Sequence, residues 1–457
     1  MVTKISSLIE LMQALAMNHP QILELQTSIL CPYAIFLPPG YALTGADKDK
    51  CLLSFNNGDG IGITANNVIR NLTIMTTPSC RAIFSQTGLT DMGTVTLNNL
   101  SVTGQVSLMI RQGTNRLMLN ADNVDVVSCD ARRYSEQPQK YGVNVYQGAF
   151  TVYNFNGDPN SNIIANITNI TVGRKNAPVI GSGIFVGGYG DNGGWVVLEN
   201  LTTGAVYANG MLPYGTADII TGGVFIVFGV KAQNVTNNGE IVTYGVNDMV
   251  LDTWGSVDSW TVNEKLTSYG PSGIGFVNFG TVNTFIAKKE IITHGLGARG
   301  FNQYDGTVNT IKMKSITTYG DGAIGIQVSK PIGSIEMEEG ITTHGSIGNT
   351  LVKGLLMPLP AIAFSIKPGG EVQNLVVKGD IITYGDEVSS YTVEGGKINR
   401  ISVSGQVAAE GKNANAIVIS NGGTTPLTNI RASSKSGKIL INEGGNITDK
   451  SGFTEVV

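Results

Sequence analysis

Five glycines close near-identical pentapeptides at one fixed interval: Gly245, Gly270, Gly295, Gly320 and Gly345 are each 25 residues apart. Each follows a ring, in the order Tyr244, Tyr269, His294, Tyr319 and His344, and each pentapeptide opens on Ile or Leu. A β-branched unit this short cannot bury its own apolar face, so consecutive units must stack and share one core. A sixth copy, Ile381 to Gly385, lies 40 residues beyond Gly345, one 25-residue unit plus an insertion of 15 that includes Leu355 to Pro360.

Side chains alternate across a strand. The aliphatic first position and the Thr/Ser column (Thr243, Ser268, Thr293, Thr318, Thr343, Thr383) therefore share the inward face, and the rings form an outward ladder. Paired coils set its rungs about 4.8 Å apart. A second strand carries the bulky column Leu251, Phe276, Phe301, Ile326 and, past the insertion, Tyr391. A third repeats Val-x-x-Ile-x-Val patterns, as in residues 282–287 and 308–313. Three short strands per coil predict an all-β chain, a single-stranded right-handed parallel β-helix of about 25 residues per coil. The absence of a hexapeptide period argues against a left-handed helix. The missing Leu-x-x-Leu-x-Leu frame argues against a leucine-rich repeat.

With 59 Gly and 14% charged residues among 457, the composition suits many turns and strands. One β-helix domain over 1–457 is expected, with the N-terminal cap and first strands in 1–45. The most regular coils fall in 241–345, an interrupted coil in 346–384, and the last coils with a C-terminal cap in 385–457. Ser7-Leu8-Ile9-Glu10 is a capping-box pattern, and Leu8, Leu11, Met12 and Leu15 follow at helical spacing, so residues 8–17 predict a short helix closing the open end.

This helix, the strand Ile22 to Ile29, and Ile35-Phe36-Leu37-Pro38-Pro39-Gly40 together resemble the N-terminus of pectin lyase-like right-handed β-helix proteins. Ile61 to Thr64 and Val68 to Ile74 extend the resemblance into the first coils. It implies the fold over most of the chain, and an activity drawn from polysaccharide lyases, glycoside hydrolases, fructotransferases or non-catalytic adhesins. The Arg-centred signatures of the lyases are not found, and the catalytic residues of the fructotransferases do not map onto this sequence. The fructotransferases' trimeric assembly makes a homo-oligomer, a trimer included, one expectation here.

A net charge of −4 provides no basic field for nucleic acid or anionic lipid. The N-terminus shows no extended apolar segment of a signal peptide, so a cytoplasmic protein is expected, or a secreted one if a leader was removed. Cys31, Cys51, Cys80 and Cys129 show no metal spacing and read as buried thiols or as a disulfide between neighbouring coils. The Asn-x-Ser/Thr triplets at Asn71, Asn166, Asn169 and Asn200 read as turn-and-strand sequence. No cofactor fingerprint or metal motif is present, so none is expected.

Chemistry on such a scaffold belongs where the repeat is broken or decorated. Tyr214 to Asp218 and Tyr244 to Asp248 each place an Asp three residues after the Gly, so adjacent coils would stack Asp218 on Asp248, about 4.8 Å apart. Carboxylates that close push one pKa up and suit a retaining glycosidase, for which separations of about 5–5.5 Å are usual. Two turn residues is the plainer alternative. Asp252 shares the outward face of Asp248, about 13 Å along the strand, and Trp254 offers a flat face to a sugar ring.

Arg299 interrupts the column Met249, Ile274, Ile324, which alternation places inward. Either its backbone turns it outward to a substrate, or it pairs internally with Asp305 or Asp321. His294 serves either as an acid/base group or as a stacking rung. His294 and His344 stand two rungs apart, about 9.6 Å, too far to share a metal. The polar stretch from Asp130 to Lys140 reads as an excursion that walls a groove or makes a subunit contact.

Two function classes follow. The first is a carbohydrate-active enzyme on an oligo- or polysaccharide, a hydrolase or transglycosylase before a lyase, with Asp218, Asp248 and Asp252 as catalytic carboxylates. Arg299, Tyr269, His294, Trp254 and Tyr304 would bind its substrate. The second is a non-catalytic adhesin or glycan-binding scaffold, because residues 316–326 resemble repeats of autotransporter passenger domains.

Overall fold

The computed structural model describes residues 2–456 apart from Asn18, Lys353 and Gly354. It is a parallel β-solenoid, nearly all-β, with one short helix among the described residues. Two compact units divide the chain: one holds the residues up to Lys140 with Asn144–Gly210 and Thr221–Asn238. The other holds Tyr141–Val143, Met211–Ile220 and the chain from Gly239 onward.

In the first unit the helix spans Leu8–Leu15. Ser7 caps it, its Oγ accepting from the Glu10 amide at 3.3 Å, while the Glu10 carboxylate accepts from the Ser6 amide at 2.6 Å. Leu11 and Ala14 are buried, whereas Met12, expected on the apolar face, is exposed. Strands Val68–Met75, Asp91–Thr103, Arg116–Ser128 and Asn162–Val172 pair in parallel, aligning Leu72, Leu100, Val124 and Ile170 in the core.

A left-handed Asn interrupts each of these strands, at Asn71, Asn99, Asn123 and Asn169. Asn tolerates this conformation, and it lets the residues on both sides of the corner reach the core. Asn99 donates its side-chain amide to Asn71 at 2.9 Å, and Asn123 to Asn99 at 3.0 Å. Two of the Asn-x-Ser/Thr triplets are thus corner residues. All four Cys are buried and free, and burial pushes the Cys31 thiol up to about 11.

In the second unit the repeat frame holds in register. Ile241, Leu266, Ile291, Ile316, Ile341 and Ile381 pair in succession, and all are fully buried, as is the Thr/Ser column. The rings stack outward nearly parallel, with centroids 5.5, 4.8, 5.0, 4.8 and 5.0 Å apart from Tyr244 to Tyr384. The glycine after each ring is required by close approach. A Cβ on Gly270, Gly295, Gly320 or Gly345 would collide with the carbonyl oxygen of the preceding glycine in the column.

The bulky column runs Leu251, Phe276, Phe301, Ile326, Phe364, Tyr391, so Phe364 stands between the two residues that the sequence joins directly. The insertion is an antiparallel hairpin of Ile347–Val352 with Leu355–Pro360.

Candidate active site

Strands Asp248–Thr253, Ile274–Asn278 and Arg299–Gln303 pair in parallel and carry one side of a cavity of about 540 Å³ in the second unit. Its orientation rests on a break in alternation. A Cβ on Gly275 or Gly300 would meet the core side chain of Ile291 or Ile316, and the next residues, Phe276 and Phe301, are also in the core. With two successive inward positions, the residues on either side, Ile274 with Val277 and Arg299 with Asn302, both turn out to the cavity. Arg299 therefore faces outward, correcting the inward column that strict alternation predicts. No pairing with Asp305 or Asp321 forms: Asp305 pairs with Lys330, and Asp321 accepts from the Ser346 amide.

Asp252, paired across Val277 with Asn302, lies at the floor of the cavity. It is fully buried, and neither carboxylate oxygen has a hydrogen bond of good geometry. Burial holds its pKa well above the usual carboxylate range, outweighing the Thr253 amide and the Trp254 indole, which favour the charged form. Arg299 is 9% exposed; its Nη1 donates to the Gly297 carbonyl at 3.2 Å while Nε has no partner. Burial lowers the Arg299 pKa. The side-chain oxygen of Asn302 is also buried without a partner. Three unsatisfied polar side chains thus converge on one apolar-walled space, each at a cost that a ligand would offset.

The remaining expected residues divide. Asp218 lines the cavity from an exposed loop outside any strand, so it forms no ladder pair with Asp248. Asn247, left-handed at φ 55°, anchors that loop by donating to the Thr216 carbonyl at 2.6 Å. Asp248 is buried, not outward: its carboxylate accepts from the Gly245 amide at 2.6 Å and closes its own turn.

Tyr304 lines the cavity and packs on Phe279 at 4.7 Å. Trp254 presents no open face, because Tyr141 meets it edge-on at 5.4 Å and Phe279 at 6.0 Å. Tyr269 and His294 do not line the cavity; they are ladder rungs, and burial lowers the His294 pKa.

Sequence reasoning missed Asn302 and Tyr141. Asn302 was accessible, standing two 25-residue steps from Asp252. Tyr141 was not: it has φ 57°, precedes the left-handed Gly142, and donates its hydroxyl to the Phe279 carbonyl at 3.3 Å across 138 residues. Among the described residues no cluster of three or more His, Cys, Asp or Glu could hold a metal, and no helix is long and apolar enough to cross a membrane.

Fold and cavity define a parallel β-solenoid protein with a polar-floored lateral cavity. The sequence matches no protein-family model, and neither a curated protein nor a solved structure matches it significantly.

Proposed function

We propose that the chain is a pectin lyase-like carbohydrate-active enzyme, a glycoside hydrolase or transglycosylase, with Asp252 as its proton donor. The observation that carries this reading is Asp252 itself: a buried carboxyl without a hydrogen-bond partner, its pKa raised by burial, lining one cavity with a guanidinium that has no counter-charge. A carboxylic acid neutral at working pH is what a glycosidic leaving group needs. Its proton passes to the glycosidic oxygen as the bond to the anomeric carbon breaks. Asp218, exposed at the rim, acts as the base, taking a proton from the hydroxyl that forms the new bond. Water as that hydroxyl gives hydrolysis, and a sugar gives transfer. Arg299 and Asn302 orient ring hydroxyls, and Tyr304 offers an aromatic edge.

Because Asp252 has no accessible surface, substrate reaches it only when its cover shifts. Tyr141, left-handed at φ 57°, lines the same cavity and packs on Trp254 and Phe279. A binding-only scaffold is the second reading, favoured by the unbroken ring ladder on the exposed face of the regular coils.

The test is product analysis on a panel of neutral and acidic oligosaccharides. Wild type should cleave or transfer at least one, and Asp252→Asn should lower turnover about 100-fold or more. No turnover across the panel, or undiminished turnover by Asp252→Asn, removes the enzymatic reading.

A further inference from the structure

The first unit contains a larger cavity, of about 790 Å³, that the catalytic proposal does not use. One wall is aromatic. Tyr189, 50% exposed, sits edge-on to Phe155 at 5.6 Å, and Phe155 packs in turn on Tyr153 at 5.3 Å. Two glycines leave the room that Tyr189 occupies. A Cβ on Gly157 would touch Tyr189 Cε1 at 3.0 Å, and one on Gly194, itself left-handed at φ 65°, would collide with the Tyr189 Cβ. The Tyr189 amide donates to the Gly194 carbonyl at 3.1 Å. The half-exposed ring, packed edge-on against Phe155, offers a face on which a ligand can stack.

The polar wall is half satisfied. Arg111 donates from Nε at 3.1 Å and Nη2 at 2.7 Å, both to Oε1 of Glu136, so that neither bond uses Oε2. Burial alone would raise the Glu136 pKa, but the hydrogen bonds and charge of Arg111 outweigh it and lower the pKa, keeping the carboxylate ionised. Asp158 Oδ1 accepts from the amide and the side chain of Asn160 at 2.8 and 3.1 Å, leaving Oδ2 open. Gln112 and Asn115 add amides to the same lining.

We infer that this cavity is a second, non-catalytic site for a neutral saccharide. Stacking on an aromatic face with hydroxyls donated to open carboxylate oxygens is the chemistry of a sugar ring. Charge narrows the class: Arg111 is offset by Glu136, and Asp158 leaves one excess negative charge, which disfavours uronates, sulfated sugars and sugar phosphates. The Arg111 ion pair occupies Glu136 and lowers its pKa, which disfavours it as a proton donor. The inference goes beyond the catalytic proposal and does not depend on it.

The experiment is titration by saturation-transfer NMR and calorimetry with cellotriose, maltotriose, mannotriose, 1-kestose and, as the anionic control, trigalacturonate. The proteins are wild type, Tyr189→Ala and Tyr189→Phe, each first shown to melt cooperatively. At least one neutral trisaccharide should bind saturably below about 10 mM, weakened about tenfold or more by Tyr189→Ala. Tyr189→Phe should keep that affinity within about twofold. Tyr189-dependent binding with no turnover supports this site while the catalytic proposal fails. No saturable neutral ligand, unchanged affinity in Tyr189→Ala, or tighter binding of trigalacturonate overturns it.

Discussion

Asp252 and Arg299 line one cavity from strands two coils apart, yet no ion pair joins them. Both are buried, the acid with its pKa raised by burial and the guanidinium without a counter-charge. A fold selected only for stability would have paired or replaced them, because an unmatched buried charge or polar group costs free energy. Their persistence in an otherwise regular solenoid marks the cavity as the place where stability is given up for binding.

Asp252 contributes to the pH dependence of folding. Its folded pKa lies above the unfolded carboxylate value of about 3.9, so between the two the native state binds the extra proton. Its contribution is fully present below the unfolded pKa and is lost as pH rises through the folded pKa. Asp252→Asn should therefore gain thermal stability over wild type progressively from pH 4 upward. Melting curves at pH 4 and pH 8 check it, and equal differences at both would show that the carboxyl is not buried neutral.

Arg299→Met replaces an unpaired buried cation with an apolar side chain of similar length, matching Met249 in the same column. The expected result is a higher melting temperature together with kcat/KM lowered about tenfold or more. A variant less stable than wild type would mean that the guanidinium has a partner in solution.

Asp248→Ala should separate architecture from chemistry. Removing the carboxylate leaves the buried Gly245 amide unsatisfied, on the order of 1–3 kcal/mol of stability. Turnover per folded molecule should hold within about threefold of wild type, because the carboxylate points into its own turn. A selective loss of turnover without a loss of stability would restore Asp248 to the mechanism.

Tyr141→Ala uncovers Trp254, which is 4% exposed beneath it. The indole emission should shift to the red and become quenchable by iodide. An unchanged spectrum would show that another group covers the cavity wall.

The columns of the regular coils were legible in the sequence because a repeat of fixed length translates directly into strand pairing. Once Ile241 pairs with Leu266, the same step carries every later copy, and the ring ladder follows by alternation. The glycine column was legible for a similar reason: its backbones approach too closely for any Cβ, so one residue type recurs. Asp252 lines the cavity but is fully buried, which the alternation of its strand did not indicate.

What the sequence alone did not decide lies where a local contact overrides the period of two. Consecutive inward positions at Gly275 and Phe276, repeated at Gly300 and Phe301, reverse the direction of Arg299. The Gly245 amide draws Asp248 into its turn and away from Asp218. Tyr141 closes over Trp254 and Phe279 from more than a hundred residues away, a contact with no periodic signal. Periodicity determined the aliphatic and Thr/Ser columns that face the core. Only the tertiary structure decided which outward residues share a cavity, because that depends on chain segments that fold back over the coils and belong to no repeat.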